Sequence, residues 1–470
     1  MDRHETDYLV IGSGAVGMAF VDTLITESDA TVTMVDDHPL PGGHWNDAYP
    51  FVRLHQPSHF YGVASTPLGS GRIDEAGSNA GFFELASGPE ILSYFEQVMR
   101  ERLLPSGQVR YFPMCRYDGE GRFHSLVGDD RYEVGVRRRV VDTTYFKTSV
   151  PSRHTRNFAV ADDVVCLPPN DLPRRASEHA RFCVIGAGKT AMDALVWLLE
   201  HGASPERLHW VCPRSSWLIN REVTQADALF FEESVGGFAA QTEAVANAES
   251  IPDLFDRMEA CGFLLRIDPT KRPGMFHYAT ISRNEVEQLR RVDRVIDKGR
   301  VARVDPSGLT LQDGSHFPLS ADTLYIDCTA SAVDFKSNAT HPVFEDGRIT
   351  IQALQVPNPC LSAAATAYIE VHYDDDTERN RLARPVPLPD DESEFPASML
   401  GNMLNRGVWT REPALIEWVT RCRLDPFGGL VQGADRSDPR QAAILDRMAA
   451  NLMPAIGRLQ ALIAEGEATR

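Results

Sequence analysis

No stretch of this 470-residue chain approaches the roughly 18 consecutive apolar residues of a membrane-spanning helix. The opening residues, MDRHETDYLVIG, run almost at once into a short apolar segment, so no signal peptide is expected. The eight cysteines are scattered from Cys115 to Cys422 without a CxxC pair. That argues against a disulfide framework, a zinc site and a redox-active dithiol, and points to buried thiols and a cytoplasmic protein. Tandem repeats and low-complexity tracts are missing as well. Positive charge is in deficit: 47 Lys and Arg against 66 Asp and Glu leave a net charge of −19. Such a field repels polyanions, so neither a nucleic-acid nor an anionic-membrane partner is expected. No metal site is expected either; the three aspartates 374–376 read as a solvated loop.

What the chain does have is two glycine fingerprints a domain's length apart. The first, DYLVIGSGAVGMAF, carries Gly12, Gly14 and Gly17; the second, RFCVIGAGKTAMDA, carries Gly186, Gly188 and Ala191. In each, a short apolar run predicts a buried parallel strand, and helically spaced apolar residues follow the turn. In the first, a helix over 15–27 and a strand over 31–36 complete a βαβ unit. The first glycine permits a tight turn, the second admits a pyrophosphate to the backbone, and the third lets helix and strand pack closely. The helix N-terminus then meets the phosphate charge. Asp36, with Asp37 beside it, ends the second strand where a carboxylate receives a ribose diol.

After the second fingerprint no acid stands at that place. Arg214 stands there instead, followed by Ser215 and Ser216, with Arg221 further on. A guanidinium suits a 2′-phosphate, which predicts NADPH rather than NADH, with Arg221 as a second cationic contact. Two dinucleotides in one chain imply electron exchange, hence flavin redox chemistry. The expected architecture is α/β, with two Rossmann-like units and the second inserted into the first. Residues 1–175 and 321–470 would form the FAD-binding domain, its C-terminal part walling the substrate site. Residues 176–320 would form the NADPH-binding domain. Residues 88–103 predict a helix, 108–145 a β-meander and 166–180 a linker.

The block PGGHWNDAYPFVRLHQPSHFYG (41–62) resembles the GG-x-W…R-L-H-x-P block of the flavin-containing monooxygenase superfamily, and PRSSWLINRE (213–222) is similar to its R-x-S-W-x-x-x-R segment. The resemblance runs over most of residues 7–330. It implies that Gly42, Gly43, His44 and Trp45 lie along the flavin, with Arg53 nearby and Gln56, with His55, at its reactive face. It also implies that NADPH reduces FAD, and that a flavin C4a-(hydro)peroxide formed with O2 passes one oxygen atom to a small-molecule nitrogen, sulfur or carbonyl centre. Gln56 and His55 would stabilise that species. Three departures bear on this, one being that the family's A-T-G strand end reads DTTYF at 142–146 and DCTAS at 327–331. The family's F-x-G-x-x-x-H linker motif is not intact in 153–172, where Phe158 stands without the Gly and His. The block also lacks the Asp of Baeyer–Villiger enzymes, which argues against ketone oxygenation. The alternative is a flavin-dependent NAD(P)H oxidoreductase that does not oxygenate.

Overall fold

The computed structural model describes residues 2–331, 333 and 340–469. The first strand, Asp2–Ile11, lies between two parallel neighbours, Val32–Val35 and Arg131–Asp142. Leu9 and Val10 are fully buried, as a central strand covered on both faces requires. The sheet continues through Val109–Phe112 on one side and Arg348–Thr350 and Phe344–Glu345 on the other. The expected meander is present: Cys115–Gly119 and Arg122–Ser125 fold antiparallel onto Arg131–Asp142. The helix Ala15–Glu27 buries Met18, Val21 and Leu24 in a core shared with Leu361, Ala364 and Ala365 of the helix Pro359–His372. The C-terminal part of the chain thus returns to complete the first unit.

The second sheet is wholly parallel, in the order Val295–Ile296, Leu208–Val211, Arg181–Ile185, Thr323–Asp327, Cys166–Leu167. It is inserted between the Arg131–Asp142 and Phe344–Glu345 strands of the first, so the chain is α/β with two Rossmann-like units. Two segments correct the sequence reading. Thr323–Asp327, expected to open the return to the first unit, pairs along its whole length with Arg181–Ile185. Cys166–Leu167, inside the expected linker, is the edge strand beside it. Cys166–Leu167 is two residues long and runs into a proline-rich stretch, and Thr323–Asp327 carries no local signal of which sheet it joins.

A third layer was not foreseen. The strands Ser216–Asn220, Leu264–Leu265 and Met275–Ile281 form a small sheet. Its core of Trp217, Phe255, Phe276 and Phe395 is closed by the helices Phe231–Ala246, Ile251–Ala260, Phe395–Trp409 and Pro439–Thr469. None of the described helices is long and apolar enough to cross a membrane.

Candidate functional site

A cavity of about 850 Å³ opens at the carboxyl end of the first sheet, where open α/β sheets receive ligands. Gly12, Gly14 and Asp36 line one end; His277, Tyr278 and Val356 line the other. Gly12 makes the turn with φ of +99°. A Cβ on Gly17 would lie 2.2 Å from the Gly12 carbonyl oxygen, so only glycine lets the helix sit this close to the turn. Gly14 is the helix N-cap, and no side chain caps the first-turn amides. Those amides and the helix dipole are left to face the cavity, which Ala15 and Val16 also line.

Asp36 is buried and engaged on both oxygens. Oδ2 accepts the Ser13 backbone N–H at 2.5 Å and its hydroxyl at 2.9 Å; Oδ1 meets the His38 N–H and ring Nδ1, each at 2.8 Å. His38 Nε2 meets Asp47 at 2.9 Å, so the ring bridges two carboxylates. The hydrogen bond to Asp36, aided by Asp47 and opposed by partial burial, raises the His38 pKa to about 9. Against its own burial, Asp36 is held below the usual carboxylate range by His38 and Ser13. Among the described residues, Asp36, Asp37 and His38 have metal-like spacing, with ligand atoms within 4.8 Å. Both ring nitrogens of His38 are engaged by carboxylates, with the Arg153 guanidinium also 3.1 Å from Nε2 and 3.2 Å from Asp47, which makes the group a hydrogen-bonded brace behind the glycine loop.

The 41–62 block divides. Gly43 and His44 line the cavity, and desolvation pushes the His44 pKa down to about 4. Trp45 does not line it: the indole is turned into the core and donates to the Tyr61 hydroxyl at 2.8 Å, and it is Tyr61 that borders the cavity. Gln56 lines neither this cavity nor the second one described below. Arg53 and His55 line that second cavity, of about 490 Å³, between the two units. Arg53 donates to the Leu85 carbonyl at 2.9 Å. His55 stands 3.7 Å from Asp193, and desolvation keeps its imidazole below the ordinary pKa despite that carboxylate. The motif was legible, but the direction of its side chains depends on the second unit packed against it.

In the second fingerprint the Gly186 N–H donates to the Val211 carbonyl at 3.0 Å, and its own carbonyl accepts the Trp210 indole N–H at 2.7 Å. Gly188 caps the helix Lys189–Glu200 without a side-chain bond. A Cβ built on Gly188 would meet nothing within 4 Å, so the space over the uncapped amides is open. Ala191 is fully buried, packing the helix down on its sheet. Uncapped helix amides over open space fit a pyrophosphate at each loop, and the larger cavity has the extent of a small-molecule site. Arg214 lies just past the neighbouring strand with its side chain 44% exposed, paired with Asp390 at 3.3 Å. Ser215 accepts the Gly274 and Met275 amides at its carbonyl, each at 3.1 Å.

Arg221 is a correction. Its side chain is 2% exposed, ion-paired to Glu285 at 2.7 Å, and it donates to the His55 carbonyl and to Asn79. Each of its nitrogens already has a protein acceptor, and it borders the second cavity, away from the larger one. It belongs to a buried charge cluster that the sequence reading missed. Lys189 pairs with Asp193 and, at 3.0 Å, with Glu285, while the Tyr49 hydroxyl donates to Asp193 at 2.7 Å. Against desolvation, Lys189 and Arg221 hold the Glu285 carboxyl down to about 2. The one local signal was the Lys189/Asp193 spacing of four on a helix.

The chain is 45% identical over 427 residues to an uncharacterized protein of Mycobacterium tuberculosis, in strains H37Rv and CDC 1551, and to one of Mycobacterium bovis; the match spans 91% of this chain and 79% of theirs. No protein-family model matches it. A polycyclic ketone monooxygenase from Thermothelomyces thermophila is 14% identical with a TM-score of 0.48, over 96% of this chain and 89% of its own. An oxidized steroid monooxygenase bound to NADP is 16% identical with a TM-score of 0.48, over 78% and 85%.

Proposed function

The chain belongs to the family of these mycobacterial proteins, and for it we propose an FAD- and NADPH-dependent monooxygenase acting on a small molecule with O2. The observation that carries this reading is the pair of uncapped helix N-termini, at Gly14 and Gly188, each facing open space at the carboxyl end of its own parallel sheet. FAD would lie in the larger cavity, held by the Gly12–Gly17 loop, Asp36, Gly43 and His44. NADPH would lie over Gly186 and Gly188, with its 2′-phosphate at Arg214 and Ser215. The bound flavin supplies hydride acceptance and the activation of O2.

The chain's own residues have narrower tasks. The loop amides neutralise phosphate charge. The Ser13–Asp36–His38–Asp47 brace fixes the carboxylate at the ribose end. His44, neutral at pH 7, can donate or accept one hydrogen bond inside the cavity, and the Tyr61 phenol, pushed up by burial, stays protonated beside it. Val356, Tyr278 and Leu388 give the cavity an apolar stretch of wall beside His277 and Gln355.

One observation favours a second reading. Gln56 and His55 do not border the larger cavity, so the groups expected to support oxygenation are elsewhere, and a non-oxygenating NAD(P)H oxidoreductase accounts for the remaining features. The test begins with the absorption spectrum of the purified chain. It continues with anaerobic NADPH reduction, then exposure to ¹⁸O2 with candidate amines, sulfides and ketones. One ¹⁸O atom in an organic product supports monooxygenation. Oxygen consumption that yields only hydrogen peroxide supports the second reading. A colourless chain that takes up no added FAD overturns both.

A further inference from the structure

The segment between the helices Asp376–Leu382 and Phe395–Trp409 carries the acidic run Asp390, Asp391, Glu392, and two of these carboxylates sit on cations. Asp390 takes Arg214 at 3.3 and 3.5 Å and His277 Nε2 at 2.7 Å. Glu392 takes Arg272 at 3.2 Å and the Trp217 indole N–H at 3.3 Å. Backbone bonds fix the segment: the Phe276 N–H donates to the Asp390 carbonyl at 3.2 Å, and the Asp390 N–H donates to Glu394 at 2.9 Å. Against burial, His277 and Arg214 hold the Asp390 carboxyl below the ordinary range, so it is ionised at neutral pH.

Arg214 follows shortly after Val211, whose carbonyl receives the Gly186 amide. Its backbone therefore lies three residues past the strand that meets the second glycine turn, and its guanidinium charge is already balanced by Asp390. Lys271, whose charge acts on neighbouring Cys212, is balanced as well, by Asp297 at 2.6 Å and Asp268 at 3.6 Å. A coenzyme phosphate arriving here meets a fixed anion on the guanidinium that would bind it, and must share or displace it. A 2′-hydroxyl, being neutral, feels neither cost.

We infer that Asp390 is a specificity-determining positioning residue, which neutralises Arg214 and so narrows the preference for a 2′-phosphorylated coenzyme over its unphosphorylated counterpart. The inference rests on Arg214 being the 2′-phosphate contact. Because the pair is partly exposed, solvent screens the repulsion, and the expected effect on selectivity is about tenfold, equivalent to about 1.4 kcal/mol.

The test is calorimetric titration of the full chain with adenosine 2′,5′-bisphosphate and adenosine 5′-monophosphate, which differ only in the 2′-phosphate. Four proteins are compared: wild type, Asp390→Asn, Asp390→Ser and Arg214→Ala, with folding checked by circular dichroism. The expected result is that Arg214→Ala brings the affinity ratio of the two nucleotides close to one. Either Asp390 substitution raises the ratio about tenfold over wild type, with 5′-monophosphate binding unchanged. If Arg214→Ala collapses the ratio but neither Asp390 variant raises it, the role of Asp390 is refuted and the phosphate site stands. If Arg214→Ala leaves the ratio unchanged, the phosphate site is refuted, and the inference with it.

Discussion

Replacing His38 by Asn removes the cation that joins Asp36 to Asp47 while keeping a side chain that hydrogen-bonds. The wild-type ring has a pKa raised from 6.5 to about 9 by those two carboxylates, at 2.8 and 2.9 Å. Each tenfold gain in proton affinity corresponds to about 1.4 kcal/mol, so the two carboxylates supply about 3 kcal/mol at most; the ring edges an open cavity, and screening brings the expectation to about 2 kcal/mol. The direction follows from a folded pKa that lies above the unfolded one. The contribution is complete below about pH 6.5 and is lost as pH rises through about 9. With a urea m-value of about 3 kcal/mol/M, the wild-type midpoint should fall by about 0.7 M more than that of His38→Asn between pH 6 and 10. The assay is a series of urea transitions on both proteins at half-unit pH steps, read as the difference, so that other titrating groups cancel. Two midpoint curves that stay parallel over that range would refute the assignment of His38 as an imidazolium bridge.

Lys189→Met leaves Glu285 with Arg221, and Asp193 with only the Tyr49 hydroxyl and the nearby His55 ring, and a stability loss of about 3–5 kcal/mol is expected in chemical unfolding at pH 7. Because Glu285 is held down to about 2, the wild-type cluster keeps its stability above about pH 4 and loses it as pH falls towards 2; the deficit of the variant should shrink over that same interval. Gly188→Ala places a methyl where no protein atom lies within 4 Å, so the melting temperature should stay within about 1 °C while the Kd for NADP⁺ rises at least about tenfold in calorimetry. Unchanged NADP⁺ binding would show that this space is not where the pyrophosphate sits.

Both glycine turns and their helices were legible because their geometry is local. The helix over 15–27 was placed at its observed bounds, since Gly14 and the apolar spacing define them without outside help. Asp36 was legible for the same reason: a strand end next to a glycine turn has few places to go. Trp45, Gln56 and Arg221 were misplaced because motif spacing fixes where a residue stands in the chain and leaves the direction of its side chain open. Whether an arginine faces a coenzyme or a buried Glu285 is decided by a helix starting at Arg283, far along the chain. The third layer was illegible for a related reason. Its short strands at 216–220, 264–265 and 275–281 become a sheet only once helices from both sides of the return segment close over Trp217 and Phe276. His277 and Asp390, which meet at 2.7 Å, come from that layer and from the return segment.

The charge cluster at the seam between the two units governs how they can move. Tyr49 and His55 approach Asp193 from the first unit, while Lys189, Asp193, Arg221 and Glu285 belong to the chain of the insertion. The bonds that cross the seam, from the Tyr49 hydroxyl to Asp193 and from Arg221 to the His55 carbonyl and Asn79, are hydrogen bonds, while the ion pairs of Lys189 and Arg221 lie within the insertion. A swing of one unit over the other would therefore break these hydrogen bonds and leave the buried ion pairs whole.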